Sequence, residues 1–218
     1  MSNYKVILFD LDGTLSDPKV GITKSVQYAL GKMGMAEPNL ESLNCFIGPP
    51  LQVSFEEYYD FDKEQTKKAI QYYRQRFKEK GMFENDVYEG IPLLLNSLKK
   101  LSYKLVVATS KPTVFAKEIL EYFHIENYFE LVIGSNLDGT RSAKTEIIQY
   151  ILDTYEEYEK EDFIMIGDRK HDIIGANNTG IDSIGVTYGY GSMEELQDAN
   201  ATWIVKNVDE LKNLLITK

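Results

Sequence analysis

Short, unbroken apolar runs set among longer amphipathic stretches constrain this chain more than any other feature. Val6-Ile7-Leu8-Phe9, Leu105-Val106-Val107-Ala108, Leu131-Val132-Ile133 and Phe163-Ile164-Met165-Ile166 are apolar at every position, the pattern of strands buried on both faces. Ser183-Ile184-Gly185-Val186 and Trp203-Ile204-Val205 are weaker examples. Helical patterns separate most of them: Pro112 to Phe123, Lys144 to Leu152, and His171 to Asn178 with Gly180 as a stop signal. Ser192-Met193-Glu194-Glu195 reads as a capping box, and a last helix is expected over Asp209 to Leu215. The fold class implied is α/β, an open parallel sheet with helices on both faces.

About ninety residues between the first run and Leu105 break the alternation and look helical throughout. Asp17-Pro18 suits an N-cap with proline at the first helical position, and Asp62 with Gln65 suits a second cap whose helix runs to about Gly81. Such a block is too long for a simple crossover. It predicts an inserted α-helical cap domain over residues 16–85 and a main domain from residues 1–15 and 86–218, with Gly90-Ile91-Pro92 marking the return. An insertion at the carboxyl end of a strand is expected to hang over the ligand crevice as a lid. Within it, Tyr58, Tyr59, Tyr72, Tyr73 and Phe77 are read as helix packing rather than a nucleobase platform, and Cys45 as a buried apolar residue. Asp153 to Asp162, rich in glutamate and tyrosine, is read as a solvated helix end and loop.

The net charge is −10, yet residues 16–85 hold ten acidic and ten basic side chains, so the rest of the chain carries the whole imbalance. Nothing resembles the basic stripe of a nucleic-acid binder, and no apolar run is long enough to span a bilayer. Met1 to Asp10 lead straight into the first strand, so no signal peptide is expected, and a single cysteine excludes an internal disulfide. A cytoplasmic address follows as the expectation. An acidic protein that handled anionic phosphate would need a cation to offset repulsion.

Candidate chemistry gathers at strand ends. Asp10-Leu11-Asp12-Gly13-Thr14 follows the first strand; two carboxylates two residues apart point the same way in extended geometry, and Gly13 permits a sharp turn. Thr109-Ser110-Lys111-Pro112 closes the second core strand, where a hydroxyl and the following helix N-terminus suit a phosphate oxygen. Lys144 opens the next helix as a candidate for neutralising a phosphoryl group, with Arg141 as the alternative cation. Asp168 and Asp172, four apart after the fourth strand, share a face if the chain turns helical there. Carboxylates so concentrated would repel without a divalent ion between them, and all-oxygen ligation favours Mg2+. His171 and His124, the only histidines, are read as non-ligands because no zinc pattern accompanies them.

Asp10-Leu11-Asp12-Gly13-Thr14-Leu15, Thr109, Lys144 and Gly167-Asp168-x-x-x-Asp172 together resemble the four motifs of the haloacid dehalogenase (HAD) superfamily, whose Rossmann-type core carries a helical cap at the place of this insertion. Within it the chain is similar to the phosphoglycolate phosphatase and 5′-nucleotidase-like group. Phe46-Ile47-Gly48-Pro49-Pro50-Leu51 and Gly167-Asp168-Arg169 look like the nucleotidase-like branch. Many phosphoglycolate phosphatases have Lys-Pro at the third motif; here Lys144 is followed by Thr145. The resemblance implies a magnesium-dependent phosphatase acting on a small phosphate ester. Asp10 would be the nucleophile that forms an aspartyl phosphate, and Asp12 the acid and base, with the higher pKa of the two. Thr109 and Lys144 would hold the phosphoryl group. Mg2+ would rest on Asp10, the backbone carbonyl of Asp12 and Asp168, with Asp172 close by. Gly13, Ser110 and, in the cap, Gly48 and Pro49 are the expected substrate contacts. The expected assembly is a monomer or small homo-oligomer. The alternatives are a sugar phosphomutase of the same superfamily, a receiver-type signalling domain, for which the chain is too long and its first aspartate too early, and a noncatalytic phosphate-binding protein.

Overall fold

The computed structural model describes residues 4–36 and 39–216. Residues 1–3, 37–38 and 217–218, and with them the ends of the expected main domain, lie outside the described residues. The chain divides into two compact units, Met1–Ser16 with Val87–Lys218, and Asp17–Asp86.

Strand β1 (Val6–Phe9) opens the larger unit. The chain then leaves through β2 (Ser16–Asp17), forms α1 (Lys19–Lys32), α2 (Leu51–Tyr59) and α3 (Lys63–Glu79), and returns through β3 (Asp86–Val87), which pairs with β2. The return continues with α4 (Ile91–Lys100), β4 (Lys104–Pro112), α5 (Thr113–Tyr122), β5 (Leu131–Ser135), α6 (Lys144–Thr154), β6 (Phe163–Gly167), α7 (Lys170–Thr179), β7 (Asp182–Val186), α8 (Met193–Asp198), β8 (Trp203–Val205) and α9 (Val208–Ile216).

Among the described residues six strands form one parallel sheet in the order β5-β4-β1-β6-β7-β8. The four side chains of β1 are fully buried, which explains the unbroken apolar run. Val6 and Leu8 pack with Ile147, Ile148 and Ile151 of α6 on one face, while Ile7 and Phe9 alternate to the other. Each such burial is worth about 1.5–3 kcal/mol. Phe9 is opposite Val107 of β4 and Ile166 of β6. The residues that follow these three strands therefore emerge at one rim.

Strand β4 runs past the expected end at Ala108. Its pairing with β5 slips between Ala108↔Ile133 and Pro112↔Ser135, so Thr109, Ser110 and Lys111 occupy an irregularity, a common device for re-aiming side chains near a site. The Ser135 hydroxyl holds it by donating to the Ser110 carbonyl at 2.9 Å.

Other local expectations need correction. Pro18 is the N-cap of α1 rather than its first residue; Asp17 still acts, accepting the Lys19 N–H at 3.0 Å. Ser192 caps α8, but the Glu195 carboxylate does not complete a box: it takes the Arg169 guanidinium at 2.9 Å and the Lys170 N–H at 2.8 Å. The stretch from Asp153 to Asp162 is not simply solvated, since Tyr155 joins the core beneath the sheet with Tyr158 packed against it.

In the smaller unit Asp62 and Gln65 form the reciprocal cap of α3. Tyr73 and Phe77 are buried and stacked, ring centroids 5.3 Å apart, and Phe46, Phe55 and Phe61 make a second aromatic cluster. Tyr58 is exposed at 47% yet packs one side of its ring against Phe46, centroids 6.1 Å apart. Cys45 is half-buried, its thiol 3.4 Å from the Ser42 carbonyl, because its turn lies near solvent.

Candidate active site

Asp10 stands one residue past β1. Its N–H donates to the Ile166 carbonyl at 2.8 Å, which ties it to the end of β6, and its Oδ1 accepts the Leu11 N–H at 2.8 Å. Lys144, at the first position of α6, reaches the same oxygen at 2.9 Å and Asp172 Oδ1 at 2.7 Å, and it donates to the Ala108 carbonyl at 2.8 Å. All three of its partners are thus at the strand-end rim. Asp172 lies in the first turn of α7, where its Oδ2 accepts the Arg169 N–H at 3.1 Å. Asp168 precedes that helix, with Oδ2 accepting the Tyr190 N–H at 2.7 Å. One oxygen from each of Asp10, Asp168 and Asp172 lies within 4.8 Å of the others.

Asp12 behaves differently. Its carboxylate turns to Lys111, Oδ2 to Nζ 2.7 Å, and its Oδ1 is buried without a hydrogen-bond partner. The expectation of four converging carboxylates resolves into three plus a separate ion pair. Gly13 makes this possible: its φ is +81°, and a Cβ there would overlap the Asp168 carboxylate.

Of the other expected residues, Thr109 is buried beside Ala108, its Oγ1 accepting the Lys111 N–H at 3.3 Å, and Ser110 follows in the irregular end of β4. Gly48 (φ +101°) and Pro49 form the turn before α2 in the smaller unit. Arg141, the alternative cation, is used locally: its Nε donates to the Gly134 carbonyl at 3.1 Å and its guanidinium lies 4.6 Å from the Tyr150 ring centroid. His171 is not in the acidic cluster, and burial with Arg169 and Lys170 nearby lowers its pKa. His124 is an exposed residue with φ +57°.

Sequence reasoning missed Lys111 as a partner of Asp12. No regular spacing signalled it, because Lys111 lies in the irregular end of β4. It also missed the Tyr190 N–H, a backbone donor that no side-chain pattern reveals.

The electrostatics link the two parts, since Asp10 and Lys144 act on Asp12 as well as on Asp172. Burial pushes the Asp168 carboxyl well above its ordinary value, with Asp172 and Asp10 adding to the rise. Burial also raises Asp172, to about 6, against the pull of Lys144. Burial alone would lower the Lys144 ammonium, but Asp10 and Asp172 override it and raise its pKa. Asp12 is raised by burial, with Lys111 opposing. Two carboxylate charges no more than 4.8 Å apart repel by at least about 3.5 kcal/mol at an effective dielectric of 20. Three carboxylates against one ammonium leave two negative charges, the charge of one divalent ion. Asp168 Oδ1 is buried without a hydrogen-bond partner, and the donor set is all oxygen. These residues fit a hard divalent cation better than zinc or copper.

Residues 7–186 match the family model of the haloacid dehalogenase-like hydrolases. The chain belongs to that family. This hydrolase is 47% identical over 212 residues to a 5′-nucleotidase of Pseudomonas aeruginosa, with 97% of this chain and 96% of that protein covered. It is 33% identical over 213 residues to the tyrosine-protein kinase PtkA of Mycobacterium tuberculosis, covering 97% of this chain and 72% of that protein. A phosphoglycolate phosphatase of Colwellia psychrerythraea is 29% identical over 219 residues, covering 97% and 96%. The crystal structure of a predicted phosphatase from Clostridium acetobutylicum superposes with a TM-score of 0.96 at 54% identity, covering 99% of each chain.

Proposed function

We propose that this hydrolase is a magnesium-dependent phosphomonoesterase acting on small phosphate esters of the nucleoside 5′-monophosphate class, with Asp10 as its nucleophile. The observation that carries the reading is the junction of Asp10 with Lys144, Asp168 and Asp172: a buried carboxylate at a strand end, flanked by an ammonium and by two further acids. The 47% identity to a 5′-nucleotidase supports the substrate class.

Asp10 attacks phosphorus as the bond to the leaving oxygen breaks, and Asp12 gives that oxygen its proton. Asp12 Oδ1, which has no hydrogen-bond partner, is the oxygen suited to the transfer, because Oδ2 is held by Lys111. Water then displaces Asp10 from phosphorus while Asp12 takes the water's proton, releasing phosphate and restoring the Asp10 carboxylate and the Asp12 carboxylic acid. Lys144 offsets the charge of Asp10 so that an anion can approach an anion, and Thr109 and Ser110 donate to the phosphoryl oxygens. Asp10, Asp168, Asp172 and the carbonyl of Asp12 would hold the Mg2+, which supplies charge neutralisation at the transferring group. Gly48 and Pro49 are assigned to selection of the leaving group.

Phosphate release from nucleoside monophosphates, phosphoglycolate and sugar phosphates, with and without Mg2+, tests this. Mg2+-dependent release, highest for a nucleoside monophosphate, is expected. An isomerised sugar phosphate without free phosphate would mean a mutase, and no turnover of any ester would end the reading.

A further inference from the structure

Four residues after β7, Tyr188-Gly189-Tyr190-Gly191, touch both acidic segments. The Tyr188 hydroxyl donates to the Thr14 carbonyl at 3.0 Å, two residues past Asp12. The Tyr190 N–H donates to Asp168 Oδ2 at 2.7 Å. Between these bonds the backbone approaches so closely that side chains are excluded. A Cβ on Gly189 would overlap the Gly13 carbonyl oxygen and stand 2.5 Å from Asp168 Cβ and Oδ2, and one on Gly191 would overlap the Asp168 carbonyl oxygen. A Cβ on Gly13 would overlap the same carboxylate. Asp168 is therefore held between Gly13 and Gly189, fully buried, with one oxygen taken by an amide and Oδ1 without a hydrogen-bond partner.

We propose that Tyr188–Gly191 is a positioning segment for the divalent-cation site, fixing the rotation of Asp168 and tying the Asp10–Thr14 turn to the end of β7. A carboxylate has about four lone-pair sites and free rotation about its last bond. The amide of Tyr190 selects one rotation, and the glycines on either side prevent tilting. Groups that orient a ligand in this way contribute about 10–100-fold to metal affinity. Cation binding is independent of what ester is cleaved; only the effect on turnover rests on the phosphatase reading.

The test is calorimetric titration of the full chain with Mg2+, beside thermal melts and steady-state kinetics. Gly189→Ala is expected to raise the Mg2+ Kd about 10–100-fold. Tyr188→Phe keeps the ring against Tyr88, centroids 5.0 Å apart, and deletes only the hydroxyl; kcat should fall about fivefold, with KM and Mg2+ affinity within about twofold. Ile148→Val thins the core and should lower the melting temperature without changing the Kd. Gly189→Ala with a lowered melting temperature and wild-type Kd would overturn the proposal. Should that variant fail to fold, Tyr188→Phe with wild-type kcat does so instead. Wild-type protein that binds Mg2+ yet cleaves no ester removes the phosphatase reading and leaves the segment to be judged by the Kd of Gly189→Ala. Wild-type protein that binds no Mg2+ overturns the segment's role whatever it cleaves.

Discussion

Two buried lysines serve the same rim of the sheet in opposite ways. Lys144 lies 2.9 Å from Asp10 and 2.7 Å from Asp172, with Asp168 close by, and cannot neutralise all three. Lys111 lies 2.7 Å from Asp12 and closes a pair. One side of the rim retains an excess of negative charge that an added cation relieves; the other is already balanced. A buried acid is thus not a metal ligand by burial alone. What marks the ligand is charge left over after the protein's own cations are counted.

Substitutions can break this contrast. Asp10→Asn should have the largest effect, lowering kcat more than about 10⁴-fold, as loss of a nucleophile does. The variant should fold, because one carboxylate fewer eases repulsion in the cluster. Wild-type turnover would end the assignment. Asp12→Asn should cost about 10²–10⁴-fold, the worth of a general acid and base, while leaving Mg2+ affinity within a few-fold by calorimetry. A loss of affinity as large as that of Asp168→Asn would erase the distinction between the two sides.

The lysines sharpen it. Removing one partner of a buried ion pair costs about 3–5 kcal/mol, so Lys144→Met and Lys111→Met should both melt lower in the absence of metal. Saturating Mg2+ should recover much of the loss in Lys144→Met and little in Lys111→Met. Equal recovery in both melts would contradict the charge count.

A pH titration of stability gives a smaller effect. Asp172, at about 6, and Asp168, well above its ordinary value, both have raised pKa values in the folded state. The folded protein therefore binds more protons than the unfolded chain, and metal-free stability falls as pH rises from about 4 through 6. Lys144 stays protonated in both states across that window, so it does not reverse the sign. Melts in chelator should drop as pH rises from about 4 through 6, and Mg2+ should stabilise more at the higher pH. The smallest effect belongs to Arg141→Ala, which should leave kcat within about twofold, since that side chain serves its own loop.

Much of this was legible in the sequence, for identifiable reasons. A strand buried on both faces must be apolar throughout, so Val6–Phe9 declared itself a buried strand of the sheet. Acids placed directly after such strands pointed to the rim. Lys111 was not legible as a partner because the irregular end of β4 aims it. The part of Tyr190 was hidden because its backbone, not its ring, holds Asp168. Tyr155 was lost inside a charged run whose tyrosines face inward while its carboxylates face water, and Cys45 was misjudged because its turn leaves the thiol half-covered.

Acid-quenching the enzyme during turnover of a nucleoside monophosphate, then mapping phosphate by mass spectrometry, is the most direct test. A phosphoryl group on Asp10, absent from Asp10→Asn, is the predicted result. Steady turnover with no aspartate ever modified, or with the phosphoryl group on another residue, would contradict the account.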